Sequence, residues 1–252
     1  MEDYIDKFER FETTQIYDFN VGSGGLGDYI KFFMFLLTQC IRTNTRLFLK
    51  INNLEIEKFI KLRHSNMYIR EHEIKNCKTV KVVKPHELYS TVSFNFSMRV
   101  DDVFYFTDEI LINRNKLLQC DKPYISIHLR LGDKFLETEK RFIACKDDTR
   151  LFSEEKIQTF IEENSHLNIF FCCDNNAFKL RLKEKYKHLL ITNCDIGHTS
   201  LSNTSQKQIL DSVTELYILS MSEQIACGSH SGFSIIASKF NDIPIVKLYE
   251  CL

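Results

Sequence analysis

The sequence predicts an α/β protein made of two parallel-sheet units, on three observations. Strands and helices alternate through the C-terminal half, and a glycine-rich turn joins a strand to an apolar helix near the N-terminus. The chain's 252 residues suffice for two domains of ordinary size. The expected division is a Rossmann-like unit over residues 1–120 and a second over 121–252, with the break in the polar stretch 119–123.

In the N-terminal half, residues 16–21 read as a strand, 22–27 as a glycine turn, 28–41 as an apolar helix and 46–51 as a second strand. Residues 79–83 and 91–96 lean towards β structure, and 107–118 towards helix. Beyond the break, residues 125–129 form a short β-branched and apolar run of the kind buried in parallel sheets. Ser153 then caps a helix with an acidic first turn, Glu154 and Glu155, and an apolar face of Ile157, Phe160 and Ile161. Residues 168–173 read as a strand, 177–187 as a helix and 189–192 as a short strand. Ser205-x-x-Gln208 has the form of a capping box and opens a helix that buries Ile209, Val213, Leu216, Tyr217 and Leu219. A strand at 224–227, a helix at 232–240 and a strand at 243–248 complete the pattern.

Composition narrows the functional classes. Hydrophobic residues at 44% and charged residues at 27% describe a globular chain, and a net charge of −1 offers no general attraction to nucleic acid. The longest apolar run, 32–37, falls well short of the roughly 20 residues that a spanning helix needs. The opening MEDYIDKFERFE has no signal-peptide core, and nine cysteines without a C-x-x-C spacing suit reduced thiols, so the expected location is cytoplasmic. Cys172 and Cys173 read as small buried hydrophobes, and the eight histidines show no ligand spacing, so no metal is expected.

Three segments carry residues suited to chemistry. Gly22-Ser23-Gly24-Gly25-Leu26-Gly27 lets the backbone turn sharply and present bare N–H groups to a ligand. It satisfies G-x-G-x-x-G, but Lys50, Ile51 and Asn52 stand where a dinucleotide site needs an acidic residue for the ribose. In His128-Leu129-Arg130-Leu131-Gly132-Asp133-Lys134, His128 and Arg130 share one face at the end of a strand. There a guanidinium can grip a phosphate, or Arg130 can simply pair with Asp133. In Cys227-Gly228-Ser229-His230-Ser231-Gly232-Phe233-Ser234, hydroxyls and glycines open a helix, which makes either an anion site or a plain cap. If the last two segments end adjacent strands, they face one diphosphate. Its growing charge on departure needs fixed cations and amides where no metal is available.

The order of these motifs resembles the superfamily of α1,2-, α1,6- and protein O-fucosyltransferases over most of residues 20–240. The resemblance rests on the G-G-x-G turn, H-x-R-x-G-D, the helix TELYILS and the S-x-F-S turn. It implies a two-domain GT-B fold, GDP-fucose as donor substrate, no cofactor, a glycan acceptor and inversion at the anomeric carbon. By position, Arg130 would hold the donor diphosphate with His128 beside it, and Gly132 and Asp133 fall on the family's G-D pair. Gly24, Gly25 and Gly27 fall on the N-terminal turn. Asp174 and Glu215 fall on acidic positions near the nucleoside, and Ser231, Phe233 and Ser234 on the turn at the phosphates.

Two departures stand out. Leu131 occupies the place of a second arginine found in many members, and Asp28 replaces the asparagine that usually closes the glycine turn. An acceptor hydroxyl must lose a proton, for which Asp28, Asp133, Glu137 and Glu139 are the candidates. Asp28 is preferred because it would face the cleft from the opposite domain. The competing readings are a transferase using another nucleotide sugar, a dinucleotide-binding oxidoreductase and a non-catalytic sugar-binding protein.

Overall fold

A computed structural model describes residues 1–90, 96, 98–120, 122–137, 147–194, 196–199 and 201–250. A short helix, α1 (Glu2–Lys7), precedes β1 (Thr14–Tyr17), α2 (Leu26–Thr43), β2 (Arg46–Lys50), α3 (Ile56–Phe59), β3 (Ile60–Leu62), β4 (Tyr68–Ile69) and β5 (Val80–Val83). β6 (Phe104–Phe106) and α4 (Asp108–Leu117) lead to β7 (Ile125–Leu129), α5 (Glu154–Glu163), β8 (Ile169–Cys173), α6 (Asn176–Lys185), α7 (Gln206–Ser220), β9 (Ile225–Cys227), α8 (Gly232–Asn241) and β10 (Ile245–Lys247).

Two four-stranded sheets organise these elements, in the orders β4-β2-β1-β5 and β10-β9-β7-β8, and every described pairing within them is parallel. β3 and β6 form a separate antiparallel pair. In each large sheet the strand order reverses beside a central strand, β1 in one and β7 in the other, and such reversals open crevices at the carboxyl ends of strands. The glycine turn follows β1 and the arginine segment follows β7, so both motifs arrive at crevices.

Burial explains why the strands read as they do. β7 and β8 are buried along their whole length, as expected of strands covered on both faces. Ile127, Leu129, Phe171 and Cys173 face α5 and α6 in one core, while Phe170, Cys172, Ile225 and Cys227 join a second. That second core runs through α7 and α8 into the N-terminal sheet and the β3–β6 pair, where Phe106 meets Phe240 at 4.7 Å and Tyr217 at 5.1 Å between ring centroids. Leu131, in the place of the second arginine, is buried in the first core.

The local signals are borne out where side chains act on nearby backbone. Ser153 Oγ accepts from Lys156 N–H, and the Ser205–Gln208 box closes in both directions. Residues 189–192 make only one bridge, Leu190 to Phe170, rather than a strand. β1 begins and ends earlier than expected, because the chain after Tyr17 turns away at Asn20, whose carbonyl accepts from Ser23 N–H. The β-leaning stretch 91–96 lies outside the described residues except for Phe96, and Glu139 lies outside them.

Candidate functional site

A cleft of about 360 Å³ opens between the carboxyl ends of the two sheets, within the usual range for small-molecule sites. Gly25, Gly27 and Asp28 line one wall. His128, Arg130, Asp174, Glu215, Ser231 and Phe233 line the other, so most of the residues singled out in the sequence meet here.

The two walls are built alike. Gly25 caps α2 and Ser231 caps α8, and the starts of both helices border the cleft. They approach so closely that a Cβ on Gly27 would lie 3.1 Å from the carbonyl carbon of Gly232. Two helix N-termini thus turn their free N–H groups and positive dipole ends toward one space.

Arg130 lies between them at the end of β7. Its guanidinium is paired with Asp133, and its Nε lies 3.4 Å from Asp174 Oδ2. Its backbone is clasped by Ser229, whose Oγ accepts from Arg130 N–H at 3.0 Å and donates to Arg130 O at 2.7 Å. Ser229 is fully buried, and both of these bonds join the segments that follow β7 and β9. Asp174 accepts from Leu131 N–H at 2.7 Å and Gly132 N–H at 3.2 Å. Burial raises its carboxyl above the ordinary aspartate value, against the pull of Arg130 and these amides. Gly132 has φ +108°, and a Cβ there would lie 2.5 Å from Asp148 O, so a side chain has no room.

His128 is buried behind Arg130 and stacks on Phe233, with ring centroids 5.2 Å apart. Its Nδ1 has no protein partner. Burial, with the Arg130 charge beside it, pushes the imidazole down to about 3, so it is neutral at physiological pH. Glu215 forms part of the cleft floor and is held from behind by Thr192 and Lys179. Ser231 Oγ accepts from Phe233 N–H at 3.2 Å, the cap that its sequence allowed. Ser234 is fully buried, donates to Ser231 O and braces the turn from within.

Asp28 is the hub of the opposite wall. Its Oδ2 accepts from Gly25 N–H at 3.1 Å and lies 3.3 Å from the Tyr89 hydroxyl, while its Oδ1 pairs with Lys31 at 2.9 Å. Gly24, at φ +131°, sits against Tyr89 and Asp28 with no space for a side chain. Glu137 caps α6 by accepting from Ala177 N–H.

The sequence reading missed Lys31, Tyr89, Arg150 and His198, which also line the cleft. His198 comes from the loop before α7 and lies beside Gly25, where a Cβ would sit 3.7 Å from its Nε2. Burial and the nearby Arg130 hold its imidazole below the ordinary histidine value, opposed by Asp133, Asp28 and Asp148. No periodicity or motif marks such loop residues.

No protein-family model and no curated protein matches this sequence. Solved structures do match by shape. NodZ alpha-1,6-fucosyltransferase co-crystallized with GDP superposes with a TM-score of 0.61 at 10% identity, over 93% of this chain and 94% of its own. An arginine-to-lysine mutant of Arabidopsis thaliana FUT1 in complex with GDP gives 0.60 at 10% identity, over 100% of this chain and 74% of its own. The apo form of POFUT1 gives 0.55 at 12% identity, over 94% and 98%. With its two parallel sheets meeting at a cleft lined by Arg130 and two helix N-termini, this chain has the GT-B fold of the fucosyltransferases.

Proposed function

We propose that the protein is an inverting, metal-independent glycosyltransferase that moves L-fucose from GDP-fucose to a glycan hydroxyl. The observation that carries this reading is the convergence of Arg130 and the N-termini of α2 and α8 on a single cleft. A departing nucleoside diphosphate gathers negative charge, and these groups supply fixed positive charge and N–H donors without reorganisation. The shared fold with GDP-bound fucosyltransferases supports the choice of donor.

Each residue has a place in this scheme. Arg130 and the amides at Ser231 and Gly232 take the diphosphate, with Asp133 and Asp174 orienting the guanidinium. Gly24, Gly25 and Gly27 let the opposite wall come close. Glu215 is assigned to the nucleoside, and His128 backs Arg130 beside the diphosphate. The acceptor oxygen attacks the anomeric carbon as its bond to the diphosphate breaks, and GDP departs. The hydroxyl proton passes to a base beside the glycine turn, where Asp28 and the imidazole of His198 are the two candidates. The described cysteines are unpaired thiols, which suits a reducing, cytoplasmic setting.

Calorimetric titration with GDP, UDP and NAD, joined to donor-hydrolysis assays over a panel of nucleotide sugars, tests the reading. GDP is expected to bind and GDP-fucose to be consumed in the presence of a chelator. Binding of UDP or NAD in place of GDP, or an absolute need for manganese, would overturn it. The base is identified by pH profiles. If His198 serves, kcat/KM falls as pH drops below a value under 6.5, and Asp28→Asn keeps that acid limb whereas His198→Ala loses it.

A further inference from the structure

Behind the floor of the cleft lies a lysine with no part in the scheme above, paired with Glu215. Lys179, on α6, is 1% exposed. Its Nζ lies 3.3 Å from Glu215 Oε1, 3.3 Å from Thr192 O and 3.4 Å from Thr192 Oγ1, so all three ammonium protons have acceptors. The Thr192 hydroxyl in turn donates to Glu215 Oε1. The triangle therefore occupies one oxygen of the carboxylate. Glu215 Oε2 accepts from the Cys172 thiol at 3.4 Å, and a thiol is a weak donor.

Such a pair is a poor device for stability, since apolar residues of similar volume usually serve a core as well or better. Leu182 and Phe171 show that apolar packing is available nearby. What the pair does achieve is specific. It fixes the rotation of a buried carboxylate that lines the cleft.

We propose that Lys179 is a positioning residue for nucleobase selection, holding Glu215 as a charged, acceptor-only edge that takes guanine and rejects adenine. This rests on the nucleotide-site reading given above. Guanine offers N–H donors along its pairing edge, whereas adenine places a lone pair at the corresponding ring nitrogen. A fixed carboxylate attracts the first and repels the second. Lys179 touches no ligand and acts through Glu215. The ionisable groups facing the pair are Cys172 on β8 and Cys194 in the loop after Thr192, with Asp211 on α7 acting on Cys194. Burial holds both thiols well above their ordinary value, so neither titrates near neutrality.

The test measures GDP and ADP affinity by calorimetry for the wild type, Lys179→Met, Glu215→Gln and the double variant. The wild type is expected to prefer GDP. In Lys179→Met the carboxylate loses its charged partner and its fixed orientation, so GDP affinity falls about tenfold or more and the preference over ADP narrows. The double variant removes both charges, which preserves folding if the single variant does not fold. It is expected to narrow the preference for GDP over ADP, because an amide both donates and accepts. Lys179→Met with wild-type GDP affinity and preference would overturn the role of Lys179 alone, and a double variant that keeps full GDP preference would overturn the role of Glu215 and the proposal with it. A wild type that binds no GDP would sink the nucleotide reading and this assignment with it.

Discussion

Arg130 and His128 sit two residues apart on one strand, yet their environments differ in kind. Arg130 lines the cleft with Asp133 and Asp174 facing its guanidinium. Two charge-assisted hydrogen bonds to a phosphate are worth about 1.5–3 kcal/mol each. Arg130→Ala is therefore expected to weaken GDP binding at least about 100-fold by calorimetry, and Arg130→Lys to fall between, since an ammonium cannot bridge two oxygens. His128 has lost its charge to burial. As pH falls from 6.5 towards about 3, the unfolded chain takes up a proton there that the folded chain refuses. Stability is then lost at about 1.4 kcal/mol per pH unit over that window. Urea titrations should show a shallower acid limb for His128→Phe than for the wild type, and an unchanged slope would remove His128 as its cause.

At the scale of elements, the close approach of α2 and α8 decides whether the cleft has two charged ends or one. Gly27 is the contact point. Gly27→Ala sets a methyl against the Gly232 backbone, and overpacking of this kind costs about 1–3 kcal/mol. For a chain of this size that is a fall of roughly 2–10 °C in Tm. Because the two N-termini must separate to relieve the clash, donor turnover is expected to drop by more than the loss of folded protein explains. Ser205→Ala serves as the contrast. It removes a cap that does not itself line the cleft, costs about 1 kcal/mol and should leave the KM for donor unchanged.

Across the whole molecule, the units expected to divide near residue 120 share a core. Phe104 and Phe106 come from the N-terminal half, and Tyr217 and Phe240 from the other, and α4 packs on α7 across the proposed boundary. A continuous core of this kind predicts that both halves unfold together. Far-UV circular dichroism and tyrosine fluorescence should trace one coincident transition in urea, and two separated transitions would show that the halves melt independently.

How much of this was legible in the chain depends on the range of the interactions. Capping at Ser153 and Ser205, the buried run at 125–129 and the glycine turn are local, set by side chains acting on backbone a few residues away, and the sequence alone determined them. It also placed the arginine and serine segments on strands that turned out to be neighbours. Residues 189–192 escaped because whether an apolar run becomes a strand depends on finding pairing partners, and only Leu190 does. His198 and Tyr89 escaped because loops carry no periodicity. The employment of the carboxylates was beyond the sequence altogether. Asp174 lies 43 residues from the amide of Leu131 that it binds, and Glu215 lies 36 residues from Lys179. Residue types and short spacings made a phosphate-reading strand end legible. Only the folded chain, by bringing distant charges into a space with little water, decided which of them are spent on holding the site and which are left to face a ligand.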